Sequence, residues 1–209
     1  CNQIYNGLVA FDDEMNVVPA IAKSWNISDD GMIYTFILRD DVYFHEDECF
    51  LRSQSRKVAK SQSPYDHATR KVVAQDFVYS FNRVLDRKLN SSGSWIFANV
   101  ERSYQSSAIS NQPIVNGSQL TAHSSQPIYA FEAINDTILK IELSQPFPAF
   151  LGILSMSYAS VVPHEAVEYY GTEFGRHPVG TGPFKYQYWK EGVKLVFRKN
   201  PNYFETVRV

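Results

Sequence analysis

Apolar and polar positions alternate along several short stretches of this chain, and in one longer stretch they recur at helical spacing. In Tyr34 to Arg39 the side chains of Tyr34, Phe36 and Leu38 share one face, which predicts a strand. Asp29-Asp30-Gly31 just before it is a tight-turn signal. Phe131 to Thr137 and Ile138 to Leu143 predict two more strands joined at Asn135-Asp136, with Leu139, Ile141 and Leu143 on one face. From Ala74 to about Lys88, Phe77, Phe81, Val84 and Leu85 stand at i, i+4, i+7 and i+8, the apolar stripe of a helix. Near the end, Phe184, Tyr186 and Tyr188 alternate with Lys185, Gln187 and Trp189. After Glu191-Gly192, Val193, Leu195 and Phe197 alternate with Lys194, Val196 and Arg198. Two alternating runs around a glycine turn predict a β-hairpin, stopped by Asn200-Pro201.

The shorter elements are read from breakers and local composition. Ile4 to Phe11 is apolar and begins as a helix or an extended turn. Gln145-Pro146-Phe147-Pro148 predicts a short helix with Phe147, Phe150, Leu151 and Leu154 in register and Pro148 in its first turn. Ala159 to Pro163 reads as a buried strand, and His164 to Tyr170 as a helix ended by Gly171. The helix from Ala74 is preceded by Val73, so a hydroxyl cap is absent, while Asp76 suits the positive end of the helix dipole. Glu46 to Lys71 reads as a long polar loop. Its basic residues, Arg52, Arg56, Lys57, Lys60, Arg70 and Lys71, are spread out and predict a solvated surface rather than an anion site. Residues 101 to 128, rich in Ser, Gln, Asn and Pro, read as irregular.

Composition narrows the class. The 209 residues are 44% hydrophobic and 20% charged, as expected of a globular chain of one large or two small domains. A net charge of −2 gives no electrostatic reason for nucleic acid or an anionic membrane surface as partner. No run reaches the ~18 apolar residues of a membrane span. The 14 Phe and 13 Tyr suit strand packing first, and a ring-lined cleft second.

Motifs for chemistry are weak. Gly180-Thr181-Gly182 is followed by Pro183 and a strand, so it is a bend and no phosphate loop. His164-Glu165-Ala166-Val167-Glu168 begins like a zinc-protease helix, but Glu168 stands where the second His is required. His45-Glu46-Asp47-Glu48-Cys49 is the densest group of potential metal ligands, yet adjacent residues in a turn rarely converge on one ion. There is no Gly-x-Ser-x-Gly elbow and no carboxylate in an obviously apolar setting. Neither cofactor nor metal is expected. Cys1 and Cys49 fix no compartment by themselves. Asn-x-Ser/Thr triplets at Asn26, Asn90, Asn116 and Asn135 are expected by chance in so Ser- and Asn-rich a chain.

An ordered series of motifs nevertheless resembles one family. Pro19-x-Ile21-Ala22-x-Ser24-Trp25 comes first, then Ser28-x-Asp30-Gly31-x-x-Tyr34-Thr35-Phe36-x-Leu38-Arg39, then Val42-x-Phe44-His45. The Pro146-x-Pro148 helix, Val162-Pro163-x-Glu165, Gly180-Thr181-Gly182-Pro183-Phe184 and Asn200-Pro201-x-Tyr203-Phe204 complete it. This order is similar to the bacterial extracellular solute-binding proteins of family 5, the dipeptide-, oligopeptide- and nickel-binding class. The resemblance covers nearly the whole chain, apart from the loop at Glu46 to Lys71 and part of 101 to 128.

The resemblance implies a mixed α/β chain with a periplasmic-binding-protein-like class II fold. Residues 1–40 would hold part of lobe one and the start of an accessory subdomain, 41–160 the subdomain, and 161–209 the return to lobe one. The second lobe would lie beyond Val209. Such proteins are not enzymes. They capture a solute in an interlobe cleft and deliver it to the membrane permease of an ABC importer, outside the cytoplasm. Peptides are the default ligand, with nickel chelates, opines, oligosaccharides and haem open. A sensory domain of the same fold is the alternative, and a carboxylate-dependent hydrolase a weaker one. Carried over by position, the ligand-binding residues are Tyr5, with Asn6 beside it, Trp95, Ser157 and Tyr158. Cys1 is expected to be an internal residue, since Ile4 to Val9 already resembles a core segment of the family, and a lipid anchor on the full-length protein stays open.

Overall fold

A computed structural model describes residues 3–54, 69–103 and 128–205. Its centre is an antiparallel sheet of four strands in the order β3-β4-β8-β7, formed by β3 (Ala22–Ile27), β4 (Ile33–Leu38), β7 (Phe131–Asn135) and β8 (Ile138–Glu142). The alternation in the sequence explains the register. Tyr34 pairs with Ile141 and Phe36 with Leu139, and all four side chains are buried on one face. The turn into β4 is the expected one: Gly31 has φ of +71°, and the Asp30 carboxylate accepts from the Ser28 hydroxyl and the Met32 N–H.

Helix α2 (Ala74–Leu85) covers this face. Phe77 and Phe81 are fully buried, and the ring of Phe81 lies 4.6 Å from that of Phe97 and 5.2 Å from that of Phe131, centre to centre. On the other side of the core, Phe150 of α3 (Phe150–Leu154) meets Tyr34 edge-on at 5.1 Å. Three two-stranded pairs surround the sheet: β1 (Val9–Phe11) with β2 (Val17–Pro19), β5 (Arg102–Ser103) with β6 (Ile128–Tyr129), and the closing hairpin of β9 (Phe184–Lys190) with β10 (Lys194–Lys199). Gly192, at φ of +68°, makes the hairpin turn, and the register shifts by one residue between Val196 and Phe197.

Several expectations need correction. The loop at Glu46 to Lys71 contains a short helix, α1 (Cys49–Gln54), because Cys49 and Phe50 are buried beneath it and the Asp47 carboxylate receives the Cys49 N–H. Arg70 is no solvated loop cation: it is ion-paired to Asp76 and Glu165. Residues 55–68, with Arg56, Lys57 and Lys60, lie outside the described residues, as do 104–127, and Cys1. Ala159 to Pro163 is buried but joins no sheet. Its Val161 N–H goes to the Asn6 carbonyl and its Val162 N–H to the Ser80 hydroxyl. Pro148 precedes α3 instead of standing within it. The long helix ends at Leu85, three residues before Lys88. Helix α4 (His164–Tyr170) forms as expected, with Gly171 at φ of +51° after it.

The missing hydroxyl cap of α2 is replaced from within the helix. Asp76 accepts the Val73 N–H at 2.9 Å, the reciprocal half of a capping box. The same carboxylate takes both terminal nitrogens of Arg70 at 2.7 Å. Arg70 also holds Glu165 at the start of α4, so one guanidinium ties the chain after the insertion to the N-termini of two helices.

Candidate ligand-binding site

The site is built from the first residues of the chain and seated by the Gly180-Thr181-Gly182 bend. The Gly182 N–H donates to the Ile4 carbonyl at 2.8 Å, and the Phe184 N–H to the Gln3 carbonyl at 2.9 Å. Glycine is required at both positions. A Cβ on Gly180 would run into the Ile4 carbonyl and the Tyr5 ring, and one on Gly182 would stand 2.6 Å from the Gln3 carbonyl. Between them, the Thr181 hydroxyl donates to the Asn6 side-chain oxygen at 2.9 Å. The sequence reading of this run as a bend holds, and its structural purpose is to seat Tyr5 and Asn6.

Tyr5 opens into a pocket of about 250 Å³, together with Ser157 and Tyr158 from the 3-10 turn Ser157–Ala159. Ser80 and Arg83 of α2 also line it, together with the apolar side chains of Leu89 and Phe174. Ser80 pins the wall in place: its hydroxyl donates to the Asp76 carbonyl at 2.7 Å and accepts the Val162 N–H at 2.9 Å. Burial pushes the Tyr5 phenol up to about 12, so it stays a protonated donor. No buried polar side-chain atom among the described residues lacks a partner.

Three of the five sequence candidates, Tyr5, Ser157 and Tyr158, line this one pocket, although 152 positions separate Tyr5 from Ser157. Asn6 does not line it; its side chain is turned to Thr181. Trp95 does not line it either and is 52% exposed, in the 3-10 turn Ser94–Phe97. It is nevertheless linked to it. The loop before Trp95 packs on Tyr158, whose hydroxyl lies 3.2 Å from the Ser92 Oγ, and the Tyr158 ring occupies the space that a Cβ on Gly93 would need. Sequence reasoning missed Arg83, Leu89 and Phe174. A signal existed for the first: Ser80 and Arg83, at i and i+3, form one strip of α2 beside its apolar stripe.

The dense ligand cluster at His45 to Cys49 is dispersed by the fold. Nδ1 of His45 accepts the Gly180 N–H, which leaves the proton on Nε2 for the Gly182 carbonyl. The Asp47 carboxylate faces the Tyr170 hydroxyl, 3.0 Å from each oxygen, as well as the Cys49 N–H. Burial pushes the Cys49 thiol well above its ordinary value, so it is an inert core residue. Among the described residues no group of three or more His, Cys, Asp or Glu side chains could hold a metal ion. Glu165, the carboxylate of the zinc-protease-like run, is held ionised below the usual range by Arg70 despite its burial.

The site is thus an open pocket of hydroxyls and rings beside a sheet with one helical layer. The chain belongs to the bacterial extracellular solute-binding proteins, family 5 (middle), whose profile matches residues 16–209. This is a family of solute-binding proteins and not of enzymes. Among its relatives is the di/tripeptide-binding protein 2 of Pseudomonas aeruginosa, 28% identical over 208 residues, covering 97% of this chain and 33% of the relative. Similar solved structures include the ABC transporter-associated periplasmic binding protein DppA of Helicobacter pylori with peptide STSA, at a TM-score of 0.68 and 26% identity over 98% of this chain and 35% of that one. NikZ of Campylobacter jejuni with Ni(L-His) matches at a TM-score of 0.66 and 28% identity, over 97% of this chain and 31% of that one. The chain thus spans about a third of the length of these relatives, and the fold is a partial periplasmic-binding-protein-like domain.

Proposed function

We propose that this chain is the part of an extracytoplasmic solute-binding protein that supplies one wall of its ligand cleft, and that the solute is a peptide. The observation that carries the reading is the pocket shared by Tyr5, Ser157 and Tyr158. Residues implied by the family resemblance alone, far apart in sequence, meet in one concave place with rings for walls and hydroxyls for orientation. Tyr5 and the segment returning through Gly180 belong to lobe one in this reading, and Trp95 reaches toward the cleft from the accessory subdomain of residues 41–160. Binding involves no bond making: the solute is held non-covalently, a second lobe outside this chain closes on it, and a membrane permease of an ABC importer receives it.

Peptide is favoured over a nickel chelate because the described lining offers hydroxyls and a guanidinium, donors suited to the carbonyl and carboxylate groups of a peptide. The relatives named for di- and tripeptides and for peptide STSA support the same choice. The test is calorimetric titration of the full-length protein with a panel of di-, tri- and tetrapeptides beside Ni(L-His). Micromolar or tighter peptide binding is expected, at about −8 kcal/mol or better. Binding of Ni(L-His) with no response to any peptide would refute the peptide reading.

A further inference from the structure

The pocket that receives Tyr5 carries one formal charge. Among the described residues, Arg83 is the only cationic side chain on its lining, and no carboxylate lines it. Arg83 is half-buried, its guanidinium lies 5.6 Å from the centre of the Phe174 ring, and among the described residues it forms no ion pair. The other arginine on α2's N-terminal side, Arg70, holds two carboxylates. The nearest acidic neighbour in sequence, Asp86, spends a carboxylate oxygen on the Lys88 N–H. A guanidinium presents five N–H donors in a planar fork suited to a carboxylate, and stacking on a ring satisfies none of them. The hydroxyls of Tyr5 and Ser157, on the same lining, add donors without adding negative charge.

We propose that Arg83 anchors a carboxylate of the bound solute, with the pocket hydroxyls as supporting donors. The inference rests on reading this pocket as part of the solute's site, and it narrows the ligand to one with an anionic end. A peptide with a free C-terminus meets that requirement, as does a dicarboxylic acid. An ammonium group meets only Arg83 and is repelled. The Phe174 ring, 5.6 Å from the guanidinium carbon, gives the arginine a packing partner that leaves its N–H donors unspent.

Two measurements on the full-length protein separate the anchor from the peptide reading. Phenylglyoxal labelling of Arg83, followed by peptide mass mapping, is expected to slow severalfold in succinate relative to chloride at matched ionic strength. Equal rates overturn the anchor, whatever peptides the protein takes. In calorimetry, trialanine is expected to bind about tenfold more tightly than its C-terminal amide, since a site built to bond a group rejects an analogue lacking it. Arg83→Gln should abolish that preference, lowering the affinity for trialanine to that for its amide. Arg83→Lys should keep part of it. A preference for trialanine that survives Arg83→Gln overturns the anchor. If neither peptide binds while succinate still shields Arg83, the anchor stands and the peptide reading falls.

Discussion

His45 grips the Gly180-Thr181-Gly182 bend from both sides of its ring: the Gly180 N–H reaches Nδ1 at 3.3 Å, and Nε2 lies 2.9 Å from the Gly182 carbonyl. The backbone N–H of His45 adds a bond to the Gly180 carbonyl at 2.7 Å. This arrangement needs a neutral imidazole, because Nδ1 must accept. Burial agrees, holding the ring neutral down to about pH 4. The bend in turn seats Tyr5, so a side chain remote from the pocket sets the pocket's geometry.

A pH dependence follows. The unfolded chain protonates His45 near its ordinary pKa of about 6.5 and the folded chain only near 4, so unfolding takes up a proton between these values. The stabilisation is complete above about pH 6.5 and is lost as the pH falls toward 4, by up to about 3 kcal/mol. Urea unfolding across this range should show stability falling with acidity, and His45→Ala should flatten the profile above pH 5 while lowering stability at pH 7. A wild-type profile that is flat from pH 7 to 5 would sink the account.

Arg70 and its two carboxylates predict a large stability effect. Removing the guanidinium leaves Asp76 and Glu165 together, nearly out of contact with water and without a cation. Arg70→Ala should cost about 3 kcal/mol or more in urea unfolding at pH 7, because an uncompensated buried charge costs more than the pair was worth. Arg70→Met combined with Asp76→Asn and Glu165→Gln should recover part of the loss. A triple variant as unstable as Arg70→Ala would show that packing of Arg70 against Phe44, 5.0 Å away, matters instead.

These two networks also show where the sequence stops being legible. The sheet could be read because burial of Tyr34, Phe36, Leu139 and Ile141 leaves a period-two trace, and α2 because Phe77 and Phe81 leave a helical one. Arg70 left none: its partners lie 6 and 95 residues away, and a basic residue in a polar run looks the same whether solvated or paired. The Ala159 to Pro163 segment is as apolar as a strand, but its N–H groups go to Asn6 and Ser80, and composition does not report where a backbone bond ends. The pocket was legible only through the family resemblance, which reached Tyr5, Ser157 and Tyr158. Arg83 stayed hidden because an arginine beside an apolar stripe is ordinary on any helix.

Gly180 should tolerate no side chain. A Cβ there meets the Ile4 carbonyl, which is backbone and cannot swing aside, as well as the Tyr5 ring. Gly180→Ala should destabilise by about 2 kcal/mol or more through overpacking and should displace Tyr5. Thermal unfolding and tyrosine solvent exposure measure the two effects. Unchanged melting with unchanged Tyr5 exposure would mean that the N-terminal segment is not held against this bend.

Gly93 couples the loop before Trp95 to the pocket, and its replacement should disturb both stability and binding. The backbone at Gly93 has φ of −92°, which alanine adopts without strain, so the obstacle is Tyr158, whose Cβ would stand 2.9 Å from the new methyl and whose ring base lies closer still. Rotation of that side chain moves the ring but not its Cβ, so the backbone must also give, and Gly93→Ala should cost about 1–3 kcal/mol in thermal or urea unfolding. It should also remove the Ser92 to Tyr158 hydroxyl contact and shift the ring on the pocket wall. Peptide affinity of the full-length protein should then fall on the order of tenfold, the equivalent of about one hydrogen bond. Trp95→Ala provides the partner measurement. Because half of the indole surface is solvated, its loss should hardly alter melting, yet if the ring closes over the solute it should cost about 2 kcal/mol of affinity. A double variant whose loss equals the sum of the two single losses would make Tyr158 and Trp95 independent contacts. A smaller loss would make the Ser92 to Trp95 loop one unit that delivers the indole to the cleft by leaning on Tyr158.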